Sequence, residues 1–497
     1  MKNKQHILPF VLLGLFSMLI GATRLHTYYE PLERDLALYA VIGHEMNQGR
    51  KLYADLWDHK PPAIYATFAL GERIFGYGHR QIYFLNWGAA VLTMLGLFLL
   101  VNRMTGNRAI SLWAAVFWVV ICGDLKLEAN QPNSEVFINT FMVWGVALFF
   151  GSRKRSVWIM TGFMFALASL FKQIILAPIV TILGIALVLP LEDRKTVVKK
   201  ILFIGFTGLA VWGSVMLYFS LTGRWNAFYE AVFEYNLVYS GNLFVNMGVG
   251  LQPGRIMPSY LAFPMVLLVM VGLGLSLYNK NFGKHLLFWV AWAVGTWVAV
   301  ALPGSFFRHY YQLWLPVVVI GCSLGQWCIA QCDRHWLVHG AGVLVLLLLL
   351  FHELPFYQIP AKDWSKKKYG DQFITSERLG KELNQLLKPE ETFYEFGNES
   401  SLYFYSQRSP LTGIVFAYPL LQKPFAAKYS QRVVAELEKA PPDLFIINQP
   451  VAMDAGSCHP VVRWFSTRYL PLPKNPVRGP FKLFVRRGSE LEKRLNQ

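Results

Sequence analysis

The chain has 497 residues, of which 54% are hydrophobic and only 15% charged, with a formal net charge of +17. A soluble domain carries about 25% charged residues, so most of this chain cannot present an ordinary water-facing surface. The basic excess sits largely in short stretches between apolar runs, where it sets membrane orientation, and without any nucleic-acid-binding signature no nucleic-acid partner is read. Cys122, Cys322, Cys328, Cys332 and Cys458 form no CxxC or metal spacing, so neither a disulfide framework nor a zinc site is indicated.

Lys2 and Lys4 precede an apolar run over 7–22 that lacks a small-x-small cleavage site, and it reads as an uncleaved first span. With about 20 apolar residues per spanning helix, spans are expected near 7–23, 82–101, 109–122, 135–151, 157–171, 174–190, 201–221, 259–278, 285–302, 311–329 and 336–352. If the N-terminus is cytoplasmic, the segments on that side carry Arg103 and Arg108; Arg153, Lys154 and Arg155; Arg194, Lys195, Lys199 and Lys200; Lys280 and Lys284; and Arg334. Every one of them is basic. Positive-inside orientation is therefore met with about eleven spans, which places the tail outside the cytoplasm of an inner (plasma) membrane.

Two outside loops are long. The first, 24–81, holds helix-like stretches at 35–48 and 63–75; the second, 222–258, is rich in Tyr, Phe and Asn and reads as an irregular lid. The tail alternates a helix at 375–387, a second at 426–439, and short strands at 392–396, 444–447 and 482–485, joined by Pro-rich turns. The expected architecture is an all-α polytopic membrane domain over 1–352 followed by a small α/β extracytoplasmic domain over 353–497.

The first outside loop carries the informative pattern. It runs Glu33-Arg34-Asp35-Leu36-Ala37-Leu38-Tyr39-Ala40 and, after a helix, Tyr53-Ala54-Asp55-Leu56-Trp57-Asp58-His59-Lys60-Pro61-Pro62. Ionisable residues beside a bilayer are costly unless they pair or act, and the two prolines present Lys60 from a stiff segment. Three more polar stretches follow: Asn130-Gln131-Pro132-Asn133-Ser134-Glu135, Phe171-Lys172-Gln173, and Phe307-Arg308-His309-Tyr310-Tyr311 before Leu313-Trp314-Leu315-Pro316.

This ordered set resembles the GT-C glycosyltransferases of the protein O-mannosyltransferase and aminoarabinose transferase group. In the tail, Tyr394-Glu395-Phe396-Gly397 and Pro441-Pro442-Asp443 are similar to such proteins more loosely. The resemblance implies a GT-C-like membrane domain, a polyprenyl-phosphate-linked sugar as donor, and a glycolipid, protein or envelope-glycan acceptor, with inversion at the anomeric carbon. It implies Asp35 as the base that takes the acceptor's proton. Lys60, Arg308, His309 and Lys172 are implied as partners of the donor phosphate, where charge accumulates. His59, Asp58, Glu128 and Glu135 are candidates for metal or acceptor contacts, and no cofactor is read beyond an optional divalent cation.

One departure stands out. The acidic residue that commonly follows the catalytic Asp is Leu36 here, so a paired carboxylate has to come from Glu33, Asp58 or Glu128. Plainer roles stand beside the sharp ones: Asp35 as a helix N-cap, Lys60 as a lysine reaching along the interface, Arg308 as a headgroup anchor, and Glu128 with Glu135 as a polar turn. A flippase for lipid-linked sugars is the competing function; it would favour midplane polar groups and internal repeats, which the sequence does not display.

Overall fold

The computed structural model describes residues 2–190, 192–252, 254–256, 283–331, 335–472 and 479–496. The expected span at 259–278, together with Cys332 and Arg334, lies outside the described residues. By packing, the chain divides into one unit of Met1–Tyr28, Ile82–Leu221 and Ser240–Pro360 and another of Tyr29–Gln81, Thr222–Tyr239 and Ala361–Gln497. This differs from the division read from composition: the tail packs with the 29–81 loop and with 222–239.

The first unit is helical. Each expected span that falls on described residues lies on a helix, from Lys2–Arg24 to His335–Glu353. Among the described residues, six helical segments are long and apolar enough to cross a membrane, including His79–Thr105, Arg194–Leu221 and Arg308–Ala330. The protein is a multi-pass membrane protein. Leu202, Phe206, Leu209 and Leu217 of Arg194–Leu221 are exposed at roughly helical spacing, a face suited to lipid tails. Close helix contacts rest on small residues. A Cβ at Gly295 would meet Pro178 Cα at 2.3 Å and one at Gly162 would meet Ile204 O at 2.7 Å. In a bilayer, packing of this kind holds helices together where no hydrophobic gain is available.

The second unit contains two parts of soluble character. In the first loop, helices Arg34–Asn47 and Ala63–Phe75 pack together through Gly43, where a Cβ would sit 2.8 Å from Ala69 N. In the tail, a four-stranded sheet has the order β1 (Phe393–Phe396), β2 (Leu444–Asn448), β4 (Phe481–Arg486), β3 (Tyr469–Pro471). β1 pairs parallel with β2, while β4 pairs antiparallel with β2 and with β3. Strands β1 and β2 are buried along their whole length, as a parallel pair covered on both faces should be. Helices Gln372–Leu386 and Ala426–Lys439 flank this α/β pattern.

The second long loop is not irregular. Its first part forms helix Trp225–Tyr229, a π-helical turn over Glu230–Glu234 and helix Tyr235–Ser240, and helix Leu243–Gly250 follows in the first unit. Phe228, Ala231, Val232 and Tyr235 form its buried face, while Trp225, Tyr229 and Leu237 are exposed. The rings at 225, 229 and 233 stack at successive i,i+4 positions. Aromatic content read as a lid is thus the signature of a two-faced helix.

Candidate active site

Helix Arg34–Asn47 begins with Glu33 as its N-cap, whose carboxylate accepts from Leu36 N and Asp35 N, both at 2.9 Å. Asp35 therefore does not cap the helix. It sits in the first turn, where the helix dipole favours an anion, with its side chain 30% exposed. Four residues on, the Tyr39 hydroxyl donates to Asp35 Oδ2 at 3.3 Å.

The second arm arrives through a tight turn in which Tyr53 takes a left-handed conformation at φ 68°. Its hydroxyl donates to the Lys60 carbonyl at 2.8 Å, and Asn236 Nδ2 donates to the His59 carbonyl at 2.7 Å. Pro61 and Pro62 follow, so the backbone presenting Lys60 is held from several sides. Strain of this kind at a non-glycine residue persists only where the surroundings over-determine it, as they do here.

Between the arms, Lys60 Nζ lies 3.3 Å from Asp35 Oδ2, 3.9 Å from Asp58 Oδ2 and 5.0 Å from the centre of the Tyr39 ring. The Lys60 side chain is 8% exposed and the Asp58 side chain fully buried. Lys60 is thus a buried, paired ammonium, not an interface lysine. Asp58 accepts from His59 N at 2.7 Å and from the Tyr65 hydroxyl at 2.5 Å, with His59 Nδ1 at 2.9 Å.

Burial by itself would raise the Asp58 carboxyl, but Lys60, His59 and the hydrogen bonds from His59 and Tyr65 outweigh it and bring the pKa down to about 2. Burial likewise pushes the Lys60 ammonium down, and Asp35, Asp58 and Tyr39 overcome that and hold it well above its ordinary value. One cation thus faces two carboxylates. Asp58 is locked and ionised, while Asp35 remains open to solvent.

In the first unit, a second polar cluster gathers at the start of helix Ser134–Phe149. Lys172 Nζ lies 2.5 Å from Glu135 Oε1 and 4.2 Å from the centre of the Tyr310 ring. His309 Nδ1 lies 3.2 Å from Glu128 Oε2, and Glu128 itself has φ 60°. Gln312 Nε2 donates to the Leu127 carbonyl, and Asn139 Nδ2 to the Gln312 carbonyl, which ties the 309–313 turn to the loop before Ser134. Arg308 opens that turn and is exposed, with no hydrogen bond or ion pair among the described residues.

The structure therefore brings together Asp35, Asp58, His59 and Lys60 in one cluster, and Glu128, Glu135, Lys172 and His309 in another. Each cluster offers a His–carboxylate pair, but among the described residues no three His, Cys, Asp or Glu side chains assemble as a metal group. Tyr39, Tyr53, Tyr65 and Asn236 are positioning groups that motif reading missed. Tyr39 was findable, since i,i+4 spacing places it on the Asp35 face; Tyr53, Tyr65 and Asn236 reach their partners only through the tertiary fold.

Residues 59–219 match the family model for dolichyl-phosphate-mannose-protein mannosyltransferase. Among solved structures, ArnT from Cupriavidus metallidurans in the apo state aligns with a TM-score of 0.57 at 14% identity, covering 97% of this chain and 98% of that one. The same protein bound to undecaprenyl phosphate aligns with a TM-score of 0.58 at the same identity and coverage. Curated protein sequences give no significant match. The chain thus has the fold of ArnT along nearly its whole length, and 59–219 carries the pattern of the mannosyltransferase family, in line with the GT-C group that its loop motifs resemble.

Proposed function

We propose that the protein is an integral-membrane glycosyltransferase that moves a sugar from a polyprenyl-phosphate donor to an acceptor on the non-cytoplasmic face. The observation that carries this reading is the Asp35–Lys60–Asp58 arrangement, in which a half-buried carboxylate and a buried ammonium share one contact. The family match and the ArnT fold support the reaction class, and the undecaprenyl phosphate bound by that ArnT supports a polyprenyl donor. The basic segments between the apolar runs support a cytoplasmic N-terminus and an outside tail.

In this reading the acceptor nucleophile attacks the anomeric carbon while the bond from that carbon to the phosphate oxygen breaks. Asp35 takes the nucleophile's proton, which typically contributes about 10²–10⁴ in rate. The leaving lipid phosphate is met by the Lys60 ammonium, a charge-assisted donor. Asp58 supplies the second carboxylate that Leu36 does not. It keeps Lys60 ionised and placed when the phosphate draws that ammonium off Asp35. Single displacement inverts the anomeric carbon. Glu33 is committed to the helix N-cap, and Glu128 to His309, so neither is assigned this role.

The test is transfer by purified protein from a panel of labelled polyprenyl-phosphate sugars to envelope extract, with Asp35→Asn alongside. Transfer that the substitution abolishes supports the reading. Equal transfer by both proteins moves the site elsewhere, and donor movement across liposomes without transfer replaces the enzyme with a flippase.

A further inference from the structure

The reaction above leaves the tail without a part. Its contacts within the second unit give it one. Glu399, fully buried just beyond β1, accepts from Arg34 Nη2 at 3.3 Å, from Gln372 Nε2 at 2.5 Å and from Ser376 Oγ at 3.2 Å. Ser400 Oγ donates to the Arg34 carbonyl at 2.8 Å, and Leu32 N donates to the Tyr405 hydroxyl at 2.9 Å. These contacts hold the chain on the residues that lead into Asp35.

The second arm is held in the same way. Trp57 N donates to the Gly413 carbonyl at 2.8 Å and Trp57 Nε1 to the Tyr429 hydroxyl at 3.0 Å. Arg432 Nη2 donates to the Ala54 carbonyl at 2.6 Å. The tail therefore grips both strands of the loop immediately ahead of the two residues whose separation matters, Asp35 and Lys60.

Charge adds a second point. Arg34 is adjacent to Asp35 in sequence and its side chain is 41% exposed, so it has room to turn. Glu33 accepts from backbone N–H groups, and Tyr39 and Lys60, backed by Asp58, face Asp35. Among the anions that act on Arg34, Glu399 holds it in a hydrogen-bonded ion pair at 3.3 Å and acts more strongly than Asp35 and Glu33. An opposite charge near a carboxylate lowers its pKa and weakens it as a base.

We infer that the tail is a clasp that sets the Asp35–Lys60 pair, and that Glu399 is its central positioning residue, keeping the Arg34 guanidinium off Asp35. The inference rests on the glycosyltransferase reading. Wild-type transfer is therefore measured first, and its absence with every donor overturns that reading and not the clasp alone.

Given transfer, kcat/KM is followed against pH for Glu399→Gln and for Glu399→Gln with Arg34→Gln. Expected for Glu399→Gln is an acid limb displaced to lower pH by about one unit or more, as a newly paired carboxylate would show. The plateau should fall about tenfold, and the double variant should return the limb to its wild-type position. Wild-type pH profiles in all proteins, whatever the yield, overturn the clasp. If Glu399→Gln does not fold, Ser400→Ala replaces it; a several-fold lower kcat at unchanged donor KM is expected, and an unchanged kcat overturns the proposal.

Discussion

The two polar clusters are built from the same residue types and differ in their accounts of charge. In the first unit Lys172 lies 2.5 Å from Glu135 and His309 3.2 Å from Glu128, with Glu135 and Lys172 also acting on His309, and the carboxylates are almost wholly buried. In the second unit the Lys60 ammonium lies between Asp58, which also has His59 Nδ1 at 2.9 Å, and Asp35, whose side chain is 30% exposed. A closed pair satisfies itself and resists change. A half-exposed carboxylate whose cation is shared becomes the better base once an incoming anion takes that cation. The two clusters thus differ in solvent access and in how a cation is shared, and transfer by variants of each tests which of them carries chemistry.

The sharpest break in that comparison is Asp35→Asn. It keeps size and hydrogen bonding but removes the base, and transfer should fall by about 10²–10⁴ with little change in folding. Labelled-sugar transfer measures it, and retention of more than a tenth of wild-type activity would sink the assignment.

Lys60→Met comes next. Removing charge stabilisation from a leaving group typically costs about 10²–10³ in kcat. It also strands Asp58, fully buried, without its ammonium, so a drop in thermal stability should accompany the loss of transfer. Adding Asp58→Asn should recover stability and leave transfer low. Recovery of transfer as well would show that Lys60 is structural.

In the other cluster the order of effects reverses. Lys172→Met leaves the buried Glu135 carboxylate unpaired, and breaking such a pair costs about 3–5 kcal/mol of stability. The double variant with Glu135→Gln should be much closer to wild type in stability, and should keep transfer within about tenfold. A double variant that is stable yet inactive would move this cluster into the reaction, as the sequence expectation had it.

Much of this was legible in advance, and for identifiable reasons. Apolar runs locate helices because a bilayer demands about 20 such residues, and helices 63–75 and 426–439 emerge with the expected bounds from their periodicity. Asp35, Asp58 and Lys60 are legible because they lie within 26 residues in one loop. What stayed hidden depends on partners remote in sequence. No local rule separates Asp35 from Glu33 as the cap until the chain's entry into the helix is seen. Nor does anything near Trp57 announce that its backbone bonds to Gly413. The 222–240 segment misled because stacked aromatics at i,i+4 read as composition before they read as period.

The smallest expected effect tests a third kind of charge account, a buried carboxyl on which burial and a neighbouring carboxylate outweigh the one cation that acts on it. Glu395 in β1 is buried. Its Oε2 accepts from Glu399 N at 3.2 Å, and its Oε1 has no hydrogen-bond partner among the described residues. Burial, with the Glu399 charge added, pushes its pKa well above the ordinary carboxylate range. A carboxyl raised on folding contributes stability below its unfolded value, and that contribution is lost as pH rises towards the folded value. Glu395→Gln should therefore leave stability near wild type around pH 4–5 and raise the unfolding temperature at pH 8, by about 2–4 °C for each kcal/mol gained. Thermal unfolding of the detergent-solubilised proteins at the two pH values decides it. An equal loss at both would mean that Glu395 acts through a hydrogen bond that glutamine cannot reproduce; a gain confined to alkaline pH would mark it as a neutral acid held in the tail next to the Arg34 clasp.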